Sequence, residues 1–148
     1  VTPVSKTGVI VFAHGSRVES ANEAVRTVAA DLARRSGNPD VIAAFLELGD
    51  PSLQVAADRL AAAGASRIVV LPYFLTLGLH MERDIPVLVE QISNAHPGVE
   101  VAVAPPLDGH RALVEILADR LDELTADRTP SPHSQTSEHK LARSQPSD

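Results

Sequence analysis

Gly8-Val9-Ile10-Val11-Phe12-Ala13-His14-Gly15-Ser16-Arg17 is the stretch on which the fold turns. It reads as a short apolar strand that stops abruptly at a histidine and a polar turn. Similar runs recur twice. Val41-Ile42-Ala43-Ala44-Phe45-Leu46 ends at Glu47, and the third strand spans residues 67–74, with Ile68-Val69-Val70-Leu71-Pro72-Tyr73-Phe74 at its centre. A fourth and shorter run covers Val99 to Val103.

Helical spacing fills the intervals. Ala24, Val25, Val28 and Leu32 recur on one face between about Ala21 and Arg35, and Gly37-Asn38-Pro39 stops that helix. Asp50-Pro51 reads as a helix start, with Asp50 as cap and Pro51 where no donor is needed. Leu53, Ala56, Ala57, Leu60 and Ala61 form the buried stripe behind it, and Gly64 marks the exit. A loop over 75–80, carrying Gly78, leads to a third helix near Pro86 to Ala95, broken by His96-Pro97-Gly98. Ala104-Pro105-Pro106 closes the fourth strand, and Ala112 to Leu124 forms the fourth helix.

Strands separated by helices of ten or more residues imply parallel neighbours joined by right-handed crossovers. Strands this apolar suit a sheet covered on both faces. The expected architecture is α/β: a three-layer αβα sandwich around a four-stranded parallel sheet, occupying residues 1–125. Residues 126–148 contain one leucine and no aromatic and include Thr129-Pro130-Ser131-Pro132, so a disordered polar tail is expected there.

Composition removes several functions. The chain has 148 residues, 44% of them hydrophobic, which is enough for one domain with a real core. A formal charge of −6 argues against nonspecific nucleic-acid binding. The absence of cysteine excludes disulfides, thiolate metal sites and cysteine nucleophiles. No apolar run is long enough to span a bilayer, and the first residues lack the pattern of a basic region followed by a long apolar one. The cytoplasm is the expected compartment. No phosphate loop with its lysine and no dinucleotide fingerprint is present, and Ser16 lacks the nucleophile-elbow context of a hydrolase.

In a parallel sheet, equivalent strand ends share one edge, where open α/β sheets bind their ligands. His14, Glu47 and His80 all follow strands and could meet there. Two imidazoles and a carboxylate suit a borderline divalent metal.

Four segments resemble, in order and spacing, the short-form sirohydrochlorin cobaltochelatases and ferrochelatases, small tetrapyrrole chelatases. They are Phe12-Ala13-His14-Gly15-Ser16-Arg17; Phe45-Leu46-Glu47-Leu48-Gly49-Asp50-Pro51-Ser52-Leu53; Val70 to Leu75 with Gly78-Leu79-His80-Met81-Glu82-Arg83-Asp84-Ile85-Pro86; and Pro105-Pro106-Leu107-Asp108-Gly109-His110 with Leu113. The resemblance implies a chelatase-like fold, half the size of two-lobed relatives, that pairs as a homodimer. It implies insertion of a divalent metal, Co²⁺, Fe²⁺ or Ni²⁺, into sirohydrochlorin or a related tetrapyrrole. The metal is a substrate, and no organic cofactor is implied. His14, Glu47 and His80 match the metal-contacting positions. One departure stands out: the family pattern has two adjacent glycines before the second histidine, and here Gly78 is followed by Leu79. A leucine there narrows the range of backbone shapes open to the loop.

Metal insertion exchanges two pyrrole protons for one dication. Imidazole and carboxylate hold such ions without the tenacity of thiolate, and an incomplete ligand set leaves room for ring nitrogens. His14 and His80 are the expected catalytic residues, since an ordinary imidazole titrates near ~6.5 and serves as a base at neutral pH. One nitrogen cannot bind metal and accept a proton together, so the two roles are sequential or divided between the histidines. Glu47 offsets metal charge or relays protons, with a plain role at the strand end as the alternative. Ser16, Arg17, Arg83 and His110 are candidate substrate contacts; helix capping (Ser16, His110) and solvated surface (the arginines) are the competing readings. Phe74, Leu75, Leu77, Gly78, Leu79 and Met81 are candidates for an apolar platform under the macrocycle, with Phe74 also a core candidate. His96 is expected on the surface at the opposite end. A protein that holds metal or tetrapyrrole without turnover is the alternative function.

Overall fold

The structure, a computed structural model, describes residues 5–126. The tail expected beyond that point lies outside the described residues. The element order is β1 (Thr7–Ala13), α1 (Glu19–Ser36), β2 (Val41–Phe45), α2 (Leu53–Ala62), β3 (Arg67–Pro72), α3 (Leu79–Ala95), β4 (Glu100–Val103) and α4 (Ala112–Ala126). Two compact units divide the chain, one through Gly109 and one from His110 onward.

In the first unit the four strands form one sheet in the order β2-β1-β3-β4. All three pairings are parallel, with Val9 opposite Val41, Val9 opposite Val69, and Val69 opposite Ala102. Alternate residues of each strand face opposite sides, so each face needs its own cover. Ile10, Phe12, Ala44, Ile68 and Val70 pack with Leu53, Ala56, Ala57 and Leu60 of α2 and with Met81, Ile85 and Ile92 of α3. Val11, Ala13, Ala43 and Phe45 pack on the other side with Val25 and Ala29 of α1. The first unit is therefore the expected three-layer sandwich. Complete burial of a side chain such as Ile10, Phe12 or Leu60 contributes about 1.5–3 kcal/mol.

Two helix starts differ from expectation. Ser52, not Asp50, caps α2, its hydroxyl accepting from the Val55 amide. The Phe45 amide donates to the Pro51 carbonyl at 2.9 Å, and Ser52 bridges back to Phe45. Residues 51–52 thus run beside the end of β2 and cannot yet turn into a helix. The third helix begins at Leu79, well before Pro86, which lies inside it. Met81 and Ile85 are buried one helical turn apart, so the amphipathic period starts ahead of the proline. His80 consequently occupies the first turn of a helix, not a loop.

The second unit contains α4, which buries no residue. Its start is held by His110, whose Nδ1 accepts from the Ala112 amide at 3.0 Å.

Candidate functional site

The β1–β2 ladder continues past both strands. The Leu46 amide donates to the Ala13 carbonyl at 2.9 Å, and the Glu47 amide to the His14 carbonyl at 3.1 Å. This extension brings two side chains together at the carboxyl edge of the sheet: His14 Nε2 lies 3.7 Å from Glu47 Oε1. That separation is within the span of about 4 Å that two metal–ligand bonds of ~2.1 Å can bridge. Both side chains are more than half exposed, so the pair is open to an incoming ion.

Gly15 makes the pairing possible. Its φ is +94°, and a Cβ there would fall 1.7 Å from the Glu47 carbonyl oxygen. Only glycine lets the two chain segments approach this closely.

Phe74 forms the wall beside His14. The two rings meet edge to face at 6.5 Å, and Phe74 meets the buried Phe12 ring at 5.8 Å in the same manner. Phe74 is thereby both a flank of the core and a neighbour of the imidazole. The Tyr73 amide donates to the Phe12 carbonyl, while the amides of Leu107 and Asp108 donate to the carbonyls of Phe74 and Leu75. The segment after β3 is therefore braced from two sides.

The expected convergence of three ligands is only partly assembled. Among the described residues no group of three histidine, aspartate or glutamate side chains stands close enough to hold one ion. His14 and Glu47 meet; His80 sits exposed in the first turn of α3 and does not join them.

The apolar candidates also divide. Leu75 and Leu79 are 61% and 73% exposed. Leu77 is half-buried against the core, and Met81 belongs to the core itself. Gly78 is the N-cap of α3 with φ −72°, a conformation open to any residue. Leu79 follows it as the first helical residue, so the missing second glycine imposes no backbone strain.

Arg17 and Arg83 are exposed. The Ser16 hydroxyl accepts from the Val18 amide at 3.1 Å, bracing the turn before α1 rather than capping the helix. It keeps its own proton free to donate. His110 lies in the second unit, where its observed contact is the helix-start bond. His96 is partly exposed, and its Nε2 lies 2.7 Å from Asp58 Oδ1, a contact that ties the end of α3 to α2.

Sequence reading passed over one residue. Asn22 is the buried polar side chain of the first unit, 2% exposed. The signal was available: Asn22, Val25 and Ala29 share one helix face at spacings of three and four, so a polar residue stands within an apolar stripe. Its carboxamide oxygen accepts from the Ser16 amide, and its nitrogen donates to the carbonyls of Ser16 and Leu48. Glu19 completes the surroundings. The bond from Arg26, and then that from Asn22, holds its carboxyl below the ordinary glutamate range.

Fold and site together define a class: a parallel α/β protein presenting a histidine–carboxylate pair at the carboxyl edge of its sheet. Residues 8–124 match the CbiX family profile, and the chain belongs to that family. It is 33% identical over 124 residues to the sirohydrochlorin cobaltochelatase of Sulfurisphaera tokodaii, covering 84% of this chain and 98% of that protein. It is 32% identical over 114 residues to the chloroplastic sirohydrochlorin ferrochelatase of Arabidopsis thaliana, covering 77% of this chain and 51% of that one. The chain thus spans about half the length of the plant relative and nearly all of the archaeal one. Among solved structures, a cobalamin-biosynthesis CbiX protein from Marinobacter aquaeolei VT8 superposes with a TM-score of 0.72 at 26% identity, covering 82% of this chain and 98% of the other. The sirohydrochlorin chelatase SirB from Bacillus subtilis subspecies spizizenii, in complex with cobalt, shares the fold with a TM-score of 0.75 at 23% identity, covering 80% of this chain and 51% of that one.

Proposed function

We propose that this chain is a metal chelatase that inserts Co²⁺ or Fe²⁺ into sirohydrochlorin. The observation that carries the reading is the His14–Glu47 pair, 3.7 Å apart and open to solvent, at the sheet edge of a CbiX family member. The relatives named for cobalt and iron insertion support the substrate and the two metals.

The chemistry follows from the donor set. One imidazole nitrogen and one carboxylate oxygen hold a dication while leaving most coordination positions to water and ring nitrogens. A closed cage would retain the ion. As the macrocycle takes the metal, two pyrrole N–H bonds break and two protons leave. His14 and Glu47, freed of metal, accept them in sequence and pass them to solvent. His80 enters as the third ligand or second base when the ring closes over the edge. The exposed Leu75 and Leu79, with the flank of Phe74, supply an apolar platform, shared with the half-buried Leu77 and the Gly78 backbone. Ser16, Arg17 and Arg83 take the substrate's carboxylates through hydroxyl and charge-assisted hydrogen bonds. The working form is a homodimer, the second copy standing where longer relatives have their second half. The compartment is the cytoplasm, whose reducing conditions keep iron ferrous.

The test is insertion of Co²⁺ into metal-free sirohydrochlorin, followed by absorbance, in wild type and His14→Ala. The expected loss in the variant is at least ~100-fold, with a melting temperature within about 2 °C of wild type because the side chain is exposed. A variant as fast as wild type ends the assignment of His14. A wild type that never exceeds the uncatalysed rate ends the chelatase reading.

A further inference from the structure

We propose that Asn22 is the positioning residue that sets the gap between His14 and Glu47. The inference rests on reading those two side chains as the metal-holding pair. Asn22 touches neither metal nor macrocycle in this scheme and acts through the backbone of Ser16 and Leu48, in the turns that follow the two ligands.

The hydrogen bonds form a closed circuit. The Ser16 amide donates to Asn22 Oδ1 at 2.9 Å, and Asn22 Nδ2 returns a bond of 2.9 Å to the Ser16 carbonyl. The same nitrogen donates to the Leu48 carbonyl at 2.9 Å and has a longer contact of 3.4 Å with Glu19 Oε2. The Glu47 amide closes the ring by donating to the His14 carbonyl. One carboxamide thus clamps the turn after β1 to the turn after β2, and each turn carries one member of the pair.

Two features show that the clamp works against a real preference of the chain. Leu48 holds a left-handed backbone with φ +55°, a region that leucine avoids. Its side chain is half exposed and gains little packing there. The bond from Asn22 to the Leu48 carbonyl fixes this conformation and with it the direction in which Glu47 leaves β2. Burial adds rigidity, because a side chain 2% exposed, with no competing water, holds one geometry.

The residue type is also accounted for. The circuit needs an acceptor for the Ser16 amide and donors for two carbonyls from one short planar group. Aspartate accepts but cannot donate, and alanine does neither. Residues that orient metal ligands through hydrogen bonds typically change metal affinity by ~10–100-fold when removed.

The experiment compares wild type, Asn22→Ala and Asn22→Asp. Co²⁺ binding is measured without tetrapyrrole by calorimetry, and backbone hydrogen exchange is followed at Glu47, Ser16 and the core residue Val11. The aspartate variant preserves shape and serves where the alanine variant fails to fold. Expected for a folded variant are Co²⁺ affinity lower by about tenfold or more, faster exchange at Glu47, and unchanged protection at Val11, with faster exchange at Ser16 in the alanine variant, which lacks an acceptor for that amide. In turnover, the KM for Co²⁺ rises by a larger factor than the KM for sirohydrochlorin, which moves only through Ser16. Wild-type Co²⁺ affinity in a folded variant overturns the proposal, whether or not exchange has changed. A wild type that binds Co²⁺ but inserts none refutes the chelatase reading alone, and the affinity comparison still decides the role of Asn22. A wild type that binds no Co²⁺ overturns both.

Discussion

At the scale of single residues, the site depends on one absent side chain. Gly15 occupies a positive φ of +94°, and the carbonyl that a Cβ would strike belongs to the backbone of Glu47, not to a side chain able to rotate away. Gly15→Ala must therefore either force the two turns apart or deform β2's exit. The expected cost is about 2–3 kcal/mol, from overlap and unfavourable φ together. Urea unfolding reads it as a lower midpoint with an unchanged slope, and Co²⁺ affinity falls in parallel. An alanine variant with the wild-type midpoint would show that the approach of the two turns is not a constraint. His14, Gly15 and Glu47 were all visible in sequence, because a strand that ends in a polar turn marks its own exit. That His14 and Glu47 could meet was expected from their shared strand edge; the 3.7 Å gap between them was not legible. It depends on a ladder that outlasts both strands by one bond pair and on Asn22, whose partners are distant in sequence and mostly backbone carbonyls.

At the scale of elements, the parallel pairing and the number of strands and helices were legible because they follow from period and punctuation; the order β2-β1-β3-β4 was not. The runs at 8–13, 41–46 and 67–74 contain too few polar residues to be anything but covered strands, and right-handed crossovers leave few ways to order them. The start of α3 was misplaced because proline is a strong breaker and drew the boundary to itself. The buried pair Met81 and Ile85 outweighs the one hydrogen bond lost at Pro86, and with the earlier start His80 moves into a helix. The bond made by His96 was not legible, because its partner Asp58 lies on another helix. The bond from His96, followed by that from Gln54, holds the Asp58 carboxyl below the ordinary aspartate range. A lowered folded-state value means that the stabilisation is fully present above the unfolded value near ~3.9 and is lost as pH falls through the folded one. Asp58 is half exposed, so the gain is at most about 1 kcal/mol at pH 6. Wild type should exceed Asp58→Asn in stability by that margin at pH 6, and the margin should close below about pH 4. Chemical denaturation across the pH series checks it, and a margin independent of pH would mean that this ion pair contributes nothing.

At the scale of the whole molecule, the proposed homodimer needs a contact surface, and in the second unit α4 offers one. Within the second unit Val114, Leu117, Leu121 and Leu124 lie along α4. Their spacings are three, four and three, the seam of a helix that packs along another helix. Each such side chain gains about 1.5–3 kcal/mol when fully covered, so a seam of four is a strong drive to associate. In the homodimer proposed above, the partner of this seam is a second copy of the chain. The Sulfurisphaera relative is matched over 98% of its length, while the Arabidopsis and Bacillus relatives carry as much again beyond the match. In the proposed homodimer, a second copy gives a chain of the shorter kind a surface comparable to that of the longer relatives. The double variant Leu117→Glu, Leu121→Glu places two charges in the seam and leaves every residue of the His14–Glu47 site untouched. Sedimentation at micromolar concentration should show a dimer for wild type and a monomer for the variant. Co²⁺ affinity measured without tetrapyrrole should be the same in both, because the metal pair lies within one chain. Insertion into sirohydrochlorin should fall in the variant and recover partially at high protein concentration, as a binding equilibrium between copies requires. A wild type that sediments as a monomer, or a variant that remains a dimer, would show that α4 is not the contact between copies.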